Sequence, residues 1–456
     1  LTYLPVIGLL TLSAWSNYDA YVNRYLAQRQ AALHPSDAAR SIASLPAKTE
    51  VYLMGAPNIF AGYGTFRFLT PDRAIWDVIN VTDWVPIRRP DPPDITFLLW
   101  ESHLDRLPYL EYVYPGGDYL PHIDQHGHLL FATYHVPAQV IRQRQGLTAN
   151  IYPANDWEGE PLAQISPAPL DSMTLKEHAG QSTLASIEPG SPVNVVWSGT
   201  IWLPDGRPRM FCVPVPPHID EVGPVPSNGR EPAASSGAVY LKVGDTRIES
   251  PRTTGSCNGL FLILELPAGP HPIQVGAALG AGNETIELNW RQYEEEWEAV
   301  PSYALWADVW PGGLLGTGKR DGEMLSPPEI APLIAYRDFS RQVPGAVNAS
   351  WTGCLVVDVP GNYEFRVRSF DGVRLTVDDH ALIEDSHRGE LGVSNARVEL
   401  EKGRHPVRLE ALFTDGPRWL EWYWQPPGGR WELVPPQVLV TPTNGCQTRN
   451  PETPVQ

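Results

Sequence analysis

The chain repeats itself, and this limits its possible folds more than any other feature. Trp197-Ser198-Gly199 recurs as Trp351-Thr352-Gly353, and Val239-Tyr240-Leu241-Lys242-Val243 as Val373-Arg374-Leu375-Thr376-Val377. Leu266-Pro267-Ala268-Gly269-Pro270-His271-Pro272 recurs as Leu400-Glu401-Lys402-Gly403-Arg404-His405-Pro406, and Trp290 and Trp297 as Trp424 and Trp431. Leu147-Thr148-Ala149-Asn150-Ile151-Tyr152-Pro153 is matched to Leu305-Trp306-Ala307-Asp308-Val309-Trp310-Pro311. The blocks keep their order, as expected of one structural unit built twice. Their spacing is 154 residues at Trp197 and 134 from Val239 onward, so the first copy carries twenty more residues. These are assigned to a Pro-, Gly- and Ser-rich surface insertion between Leu203 and Gly237.

Within each copy, apolar and polar residues alternate over short runs, as in Tyr363-Glu364-Phe365-Arg366-Val367-Arg368. Period two between turn residues means half-buried antiparallel strands. The expectation is two antiparallel β-sandwiches in tandem, 142–302 and 303–441, followed by a tail, 442–456. Composition agrees. With 47 prolines in 456 residues, the chain has roughly twice the usual ~5% share, too many for a mainly helical protein. Sixteen tryptophans and a charged fraction of only 19% exclude a disordered one.

The region ahead of the repeat reads differently. Leu1 to Trp15 is apolar or small and carries no charge. It is shorter than the ~20 residues of a spanning helix, and it reads as the last part of a truncated transmembrane helix, with Trp15 and Tyr18 at the interface. This helix is expected to run on through a juxtamembrane segment to residue 35, after which Ser36 caps a second helix, Asp37 to Leu45. Over 36–141, Glu50–Met54, Asp94–Trp100 and Leu129–Tyr134 read as strands alternating with helices, which implies a small α/β domain. The fold class is therefore α+β and multidomain, mainly β: an N-terminal helix, a small α/β domain and two sandwiches.

Two resemblances follow from these residues. The apolar helix, the helix–strand unit, Tyr114-Pro115-Gly116-Gly117 and Leu129-Leu130-Phe131-Ala132-Thr133-Tyr134 resemble the C-terminal extracytoplasmic end of family 39, dolichyl-phosphate-mannose-type bacterial membrane glycosyltransferases. That resemblance implies a membrane-anchored parent protein dependent on a polyprenyl-phosphate sugar. Its catalytic acids lie in segments this chain does not contain, so no catalysis is expected within it. The second resemblance rests on Trp351-Thr352-Gly353, Gly361-Asn362-Tyr363-Glu364-Phe365, Ser369-Phe370-Asp371-Gly372-Val373 and Leu400-Glu401-Lys402-Gly403-Arg404-His405. These residues resemble the protective-antigen (PA14) domain, and the first copy looks like a divergent member. PA14 domains are β-sandwiches that often bind carbohydrate, and some hold calcium through adjacent aspartates.

The candidate site residues are weighed against that background. Asp371 and the pair Asp378-Asp379 are the candidate ligands if calcium binds, although Phe370 stands where the family often has a first acidic residue, and each group also reads as a turn. Trp157, Trp202 and Trp419 have no aromatic counterpart in the other copy, so they are the candidate sugar-stacking rings; the six repeat-equivalent tryptophans read as core. His271 and His405 are repeat-equivalent and suggest a shared structural hydrogen bond. Cys212, Cys257, Cys354 and Cys446 lack zinc spacing. On an extracytoplasmic chain they suggest one bridge per sandwich, Cys212–Cys257 and Cys354–Cys446, with free thiols as the alternative. A net charge of −18 disfavours nucleic acid. The expected partner is a glycan or cell-envelope polysaccharide, with the membrane reached through the N-terminal helix. The alternative is a cell-surface module that binds protein.

Overall fold

The computed structural model describes residues 4–20, 34–124, 127–153, 157–168, 170, 193–214, 239–249, 257, 259–279, 286–308, 312–338, 345–414 and 416–442. The chain is mainly β, with several sheets and few helices. It divides into two compact units. One comprises Leu1–Ile79, Pro93–Glu111 and Gly116–Pro137; the other comprises Asn80–Pro92, Tyr112–Pro115 and Ala138–Gln456.

In the first unit, helix α1 (Leu4–Tyr18) leaves Leu9, Leu10, Leu12 and Trp15 exposed. Among the described residues no helix is long and apolar enough to cross a membrane. The expected continuation of α1 over 21–33 lies outside the described residues. Helix α2 spans His34–Ser44, so it starts one half-turn before the expected Ser36 cap. Strands β1 (Glu50–Met54), β2 (Ile75–Asp77), β3 (Ile95–Trp100), β4 (Asp118–Ile123) and β5 (Leu129–Val136) form one mixed sheet in the order β2-β1-β3-β5-β4. β1 pairs in parallel with β2 and β3, while β5 runs antiparallel to β3 and β4. Val51, Leu53, Leu98 and Phe131 bury one face of the sheet against Ala38, Ala39 and Ile42 of α2. Leu107–Val113 forms a further short helix.

In the second unit, the first sandwich has a large sheet built from β6 (Leu147–Pro153), β7 (Ala163–Ala168), β8 (Val193–Leu203), β10 (Val239–Val243), β11 (Thr246–Glu249), β13 (Gly269–Leu279) and β16 (Leu305–Trp306). The opposing sheet holds β9 (Arg209–Pro214), β12 (Gly259–Leu264), β14 (Asn289–Gln292) and β15 (Glu298–Ala299). The second sandwich pairs a sheet of β17 (Leu314–Arg320), β18 (Glu323–Met324), β19 (Glu329–Ala331), β21 (Val347–Val357), β23 (Val373–Val377), β24 (His380–Asp385), β26 (Gly403–Phe413) and β29 (Leu439–Val440) with one of β20 (Ala335–Asp338), β22 (Gly361–Ser369), β25 (Gly392–Leu400), β27 (Arg418–Gln425) and β28 (Glu432–Leu433). The strand orders run β11-β10-β13-β8-β6-β7 with β12-β9-β14-β15, then β24-β23-β26-β21-β17-β18 with β25-β22-β27-β20, β28 also pairing with β27.

The alternating runs produce this packing directly. Along β22, Tyr363, Phe365 and Val367 are buried while Glu364, Arg366 and Arg368 face outward. Each fully buried side chain of this size contributes about 1.5–3 kcal/mol. Trp197, Trp290, Trp351 and Trp424 lie in the two cores, as their repeat positions suggested. Trp297 and Trp431 do not: each is half-buried on an outer face, under Arg291 at 4.7 Å and Arg366 at 4.1 Å.

The pairing corrects two of the sequence assignments. Leu305–Trp306, matched to Leu147–Pro153, pairs with β8, as Leu439–Val440 pairs with β21. Its counterpart by pairing is therefore β29, while β6 and β17 both flank the long central strand. The proposed insertion from Leu203 also starts too early. Arg209–Pro214 is strand β9, with Cys212 opposite Phe261, as Arg366 is opposite Asn395. The extra residues thus fall after Pro214.

Candidate functional site

The connection after β22 crosses from one sheet of the second sandwich to the other. Ser369 ends β22, Val373 begins β23, and only Phe370-Asp371-Gly372 make the crossing. It is therefore not the hairpin expected around Asp371-Gly372. Asp371 is buried, and it fastens three connections together. Its Oδ1 accepts from the Gly389 N–H at 3.0 Å, in the β24–β25 loop. Its Oδ2 accepts from the Thr414 N–H at 3.0 Å and the Thr414 hydroxyl at 2.9 Å, in the β26–β27 connection. A buried carboxylate is costly unless its oxygens are hydrogen-bonded, and three donors meet that need.

Trp419 sits beside this crossing, its carbonyl accepting from the Phe370 N–H at 3.1 Å. The ring is half-buried, with the guanidinium groups of Arg337 and Arg368 4.9 Å and 5.3 Å from its centroid. All three converge on the fully buried Glu421. Arg337 Nε donates to Oε1 at 2.5 Å, Trp419 Nε1 donates to Oε2 at 2.9 Å, and Arg368 Nη1 lies 3.2 Å from Oε2. The ring is thus locked in place, with part of its surface open to solvent and a half-exposed guanidinium next to it. Such a pair can stack on the apolar face of a sugar and donate to its oxygens.

His387 lies in the β24–β25 loop that Asp371 anchors. Its Nδ1 is 2.8 Å from Asp385 Oδ1, and its Nε2 faces the Ser369 carbonyl at 3.1 Å. The Ser394 hydroxyl, at 2.5 Å, takes the other Asp385 oxygen and is the main reason that carboxyl is held down to about 2. Burial would lower the His387 pKa, but Asp385, the Ser369 carbonyl and Asp371 outweigh it, and the imidazole is raised above its ordinary value.

Asp378 and Asp379 are elsewhere. Both have positive φ, 50° and 62°, and form the two-residue turn between β23 and β24. Asp378 Oδ2 accepts from His405 Nδ1 at 2.6 Å. β23 separates this turn from Asp371, which at about 3.3 Å per residue is roughly 20 Å. One calcium ion binds oxygens at about 2.3–2.6 Å, so the three aspartates do not share an ion. Among the described residues no group of three or more His, Cys, Asp or Glu side chains comes together to hold a metal. The two repeat-equivalent histidines do share a hydrogen bond: His271 Nε2 meets the Pro267 carbonyl at 2.7 Å, and His405 Nε2 the Glu401 carbonyl at 2.8 Å.

The other two candidate rings lie in the first sandwich. Trp202 is buried, with Arg88 over its face at 4.8 Å, because a segment from ahead of the repeat covers this end of β8. Trp157 is half-buried and packs edge-on against Tyr240, covering a small cluster with Tyr152 and Val196. A disulfide joins Cys212, on β9, to Cys257. Cys354 is buried on β21, and its expected partner Cys446 lies outside the described residues. Sequence reasoning missed His387, Arg368 and Ser394. The signal lay in the repeat itself, since Asp385, His387 and Ser394 stand where the first copy has Pro251, Thr253 and Leu260.

In sequence, residues 337–437 match the PA14 domain family. No curated protein matches the chain. Among solved structures, the chain is similar to an anti-sigma factor domain-containing protein from Clostridium clariflavum, 18% identical over 65% of this chain and 100% of that one, with a TM-score of 0.26. It is also similar to the PA14 sugar-binding domain of an RTX adhesin, 22% identical over 26% of this chain and 62% of that one, with a TM-score of 0.21. The A domain of epithelial adhesin 9 from Candida glabrata, solved in complex with Galβ1-4GlcNAc, is 10% identical over 28% of this chain and 88% of that one, with a TM-score of 0.25. Residues 337–437, which hold Asp371, His387 and Trp419, are thus a PA14 domain.

Proposed function

We propose that this chain is a carbohydrate-binding part of a cell-envelope protein and that its ligand face is the end of the second sandwich around Phe370, Arg368 and Trp419. One observation carries the reading: within the segment that matches the PA14 family, a partly open aromatic ring is fixed beside a half-exposed guanidinium. Asp371 supports the site by holding its loops together rather than by binding a metal. The first sandwich is a second, divergent copy of the same unit. The matching strand orders support this, as do the paired contacts from Trp290 Nε1 to Glu298 at 2.7 Å and from Trp424 Nε1 to Glu432 at 3.1 Å. The exposed apolar residues of α1 suit seating in lipid, with the rest of the chain outside the cytoplasm, as in the tail of a membrane glycosyltransferase.

A glycan array probed with and without calcium tests the binding. The expected outcome is binding that calcium does not alter and that Trp419→Ala abolishes in a variant whose melting curve shows it folded. Failure to bind any glycan under either condition overturns the proposal. A second reading, a protein-binding module, is favoured by the outer face of the smaller sheet in the first sandwich. There Met210, Phe261 and Ile263 stand where the second sandwich has Glu364, Asn395 and Arg397. Ile263→Lys would weaken a protein contact on this face and leave glycan binding intact.

A further inference from the structure

The β24–β25 loop, Ser386 to Leu391, borders the proposed ligand face, and two anchors hold it. The first is the carboxylate of Asp371 on the Gly389 N–H, 3.0 Å away. The second is the ring of His387, wedged between Asp385 Oδ1 at 2.8 Å and the Ser369 carbonyl at 3.1 Å. A neutral imidazole has one N–H and one lone pair. Both groups facing this ring are acceptors: a carbonyl has no proton to give, and the second oxygen of Asp385 is itself occupied by the Ser394 hydroxyl at 2.5 Å. Only the doubly protonated ring presents a proton to both: Nε2 to the Ser369 carbonyl, and Nδ1 to Asp385 Oδ1 as an ion pair at 2.8 Å rather than an aligned hydrogen bond, that oxygen also accepting from the His387 N–H at 3.0 Å. A neutral ring turns a lone pair toward one acceptor and loses that contact.

The seat is shaped for the ring. A Cβ at position 392 would come within 2.4 Å of His387 Cε1, so the glycine there leaves room for it. The surrounding groups come from every neighbouring element: Asp385 from the end of β24, Asp371 from the β22–β23 crossing, Ser394 from β25 and the Ser369 carbonyl from β22. Arg388 and Glu390 follow in the loop and are exposed.

We propose that His387 is a proton-operated latch: with both ring nitrogens protonated it fastens the Ser386–Leu391 loop to the end of the second sandwich, and loss of one proton frees that loop. The latch stands on the geometry of the ring; that it regulates ligand binding rests on the function proposed above. Because the folded-state pKa of His387 is raised, its contribution is complete below the ordinary 6.5 and is lost as pH rises through the raised value. Asp385 sets the acid limit, its contribution being lost as pH falls from the ordinary 3.8 toward about 2.

The test uses the full chain with no ligand. NMR of ring-labelled histidine reads the protonation state of His387. Hydrogen exchange, expressed as protection relative to the intrinsic rate at each pH, reads the amides of His387 and Gly389. The expected result is a ring protonated on both nitrogens at pH 6.5, titrating above that value, with at least a tenfold loss of loop protection across the same midpoint. Asp385→Asn should lower the midpoint by about one unit or more. His387→Gln should remove the pH step and leave the loop as exchangeable at pH 6 as the parent at high pH. A single neutral tautomer at pH 6.5, or protection that does not change through the titration, overturns the proposal. Neither readout involves glycan, so a negative glycan array leaves the latch standing, and a failed latch leaves the glycan reading standing.

Discussion

Gly199 and Gly353 close the Trp-Ser/Thr-Gly motif of each copy. A Cβ at Gly199 would lie 2.3 Å from the Trp306 carbonyl oxygen, and one at Gly353 2.3 Å from that of Val440. In both sandwiches a short closing strand crosses the long central strand at this point, β16 over β8 and β29 over β21. Glycine is required because backbone, which cannot move aside as a side chain can, occupies the space. Gly353→Ala is therefore expected to cost about 1–3 kcal/mol or more, read as a lower thermal midpoint; an unchanged midpoint would mean that β29 does not close the sandwich. The motif was legible in the sequence, but its reason was not, since the covering carbonyl comes from Trp306 for Gly199 and from Val440 for Gly353, far downstream in each case. Asp371 shows the opposite case: the residue type suggested a metal, and only the positions of Gly389 and Thr414 show that its oxygens serve the fold.

At the scale of elements, short apolar runs in the α/β region and alternating runs in the sandwiches predicted these strands well. β1, β3, β5, β22 and β23 all lie where the pattern placed them. Composition misled where it was averaged over a long window. The Pro- and Gly-rich stretch from Leu203 to Gly237 hid strand β9, whose Phe211 and Val213 point into the core. β9 also carries Cys212, bonded to Cys257 across a sequence separation of 45. Closing a loop of that size restricts the unfolded chain, so reduction is expected to cost about 2–4 kcal/mol. A denaturant titration with and without reductant measures it. Identical midpoints would show that the bond adds nothing to the first sandwich. The loop around His387 was not foreseen, because a histidine and a carboxylate two residues apart carry no meaning until Ser369 and Ser394 are brought beside them.

For the whole molecule, 52 acidic residues against 34 basic ones disfavour nucleic acid as a partner on electrostatic grounds. No complex with duplex DNA should form even at about 50 mM salt, where phosphate contacts are strongest; a shifted band that weakens with added salt would contradict this. The arginines that matter locally, Arg337 and Arg368, are held by Glu421 and do not form a basic face of their own. The sequence by itself determined the class of fold, because the period of an alternating run is a property of neighbours along the chain. The tertiary structure alone decided that Trp202 is buried while Trp157 and Trp419 stay partly open, that Asp371 lies a full strand away from Asp378 and Asp379, and that His387 has an acceptor on each side. Each of these depends on distance through space between residues far apart in the chain, and no local pattern encodes that distance.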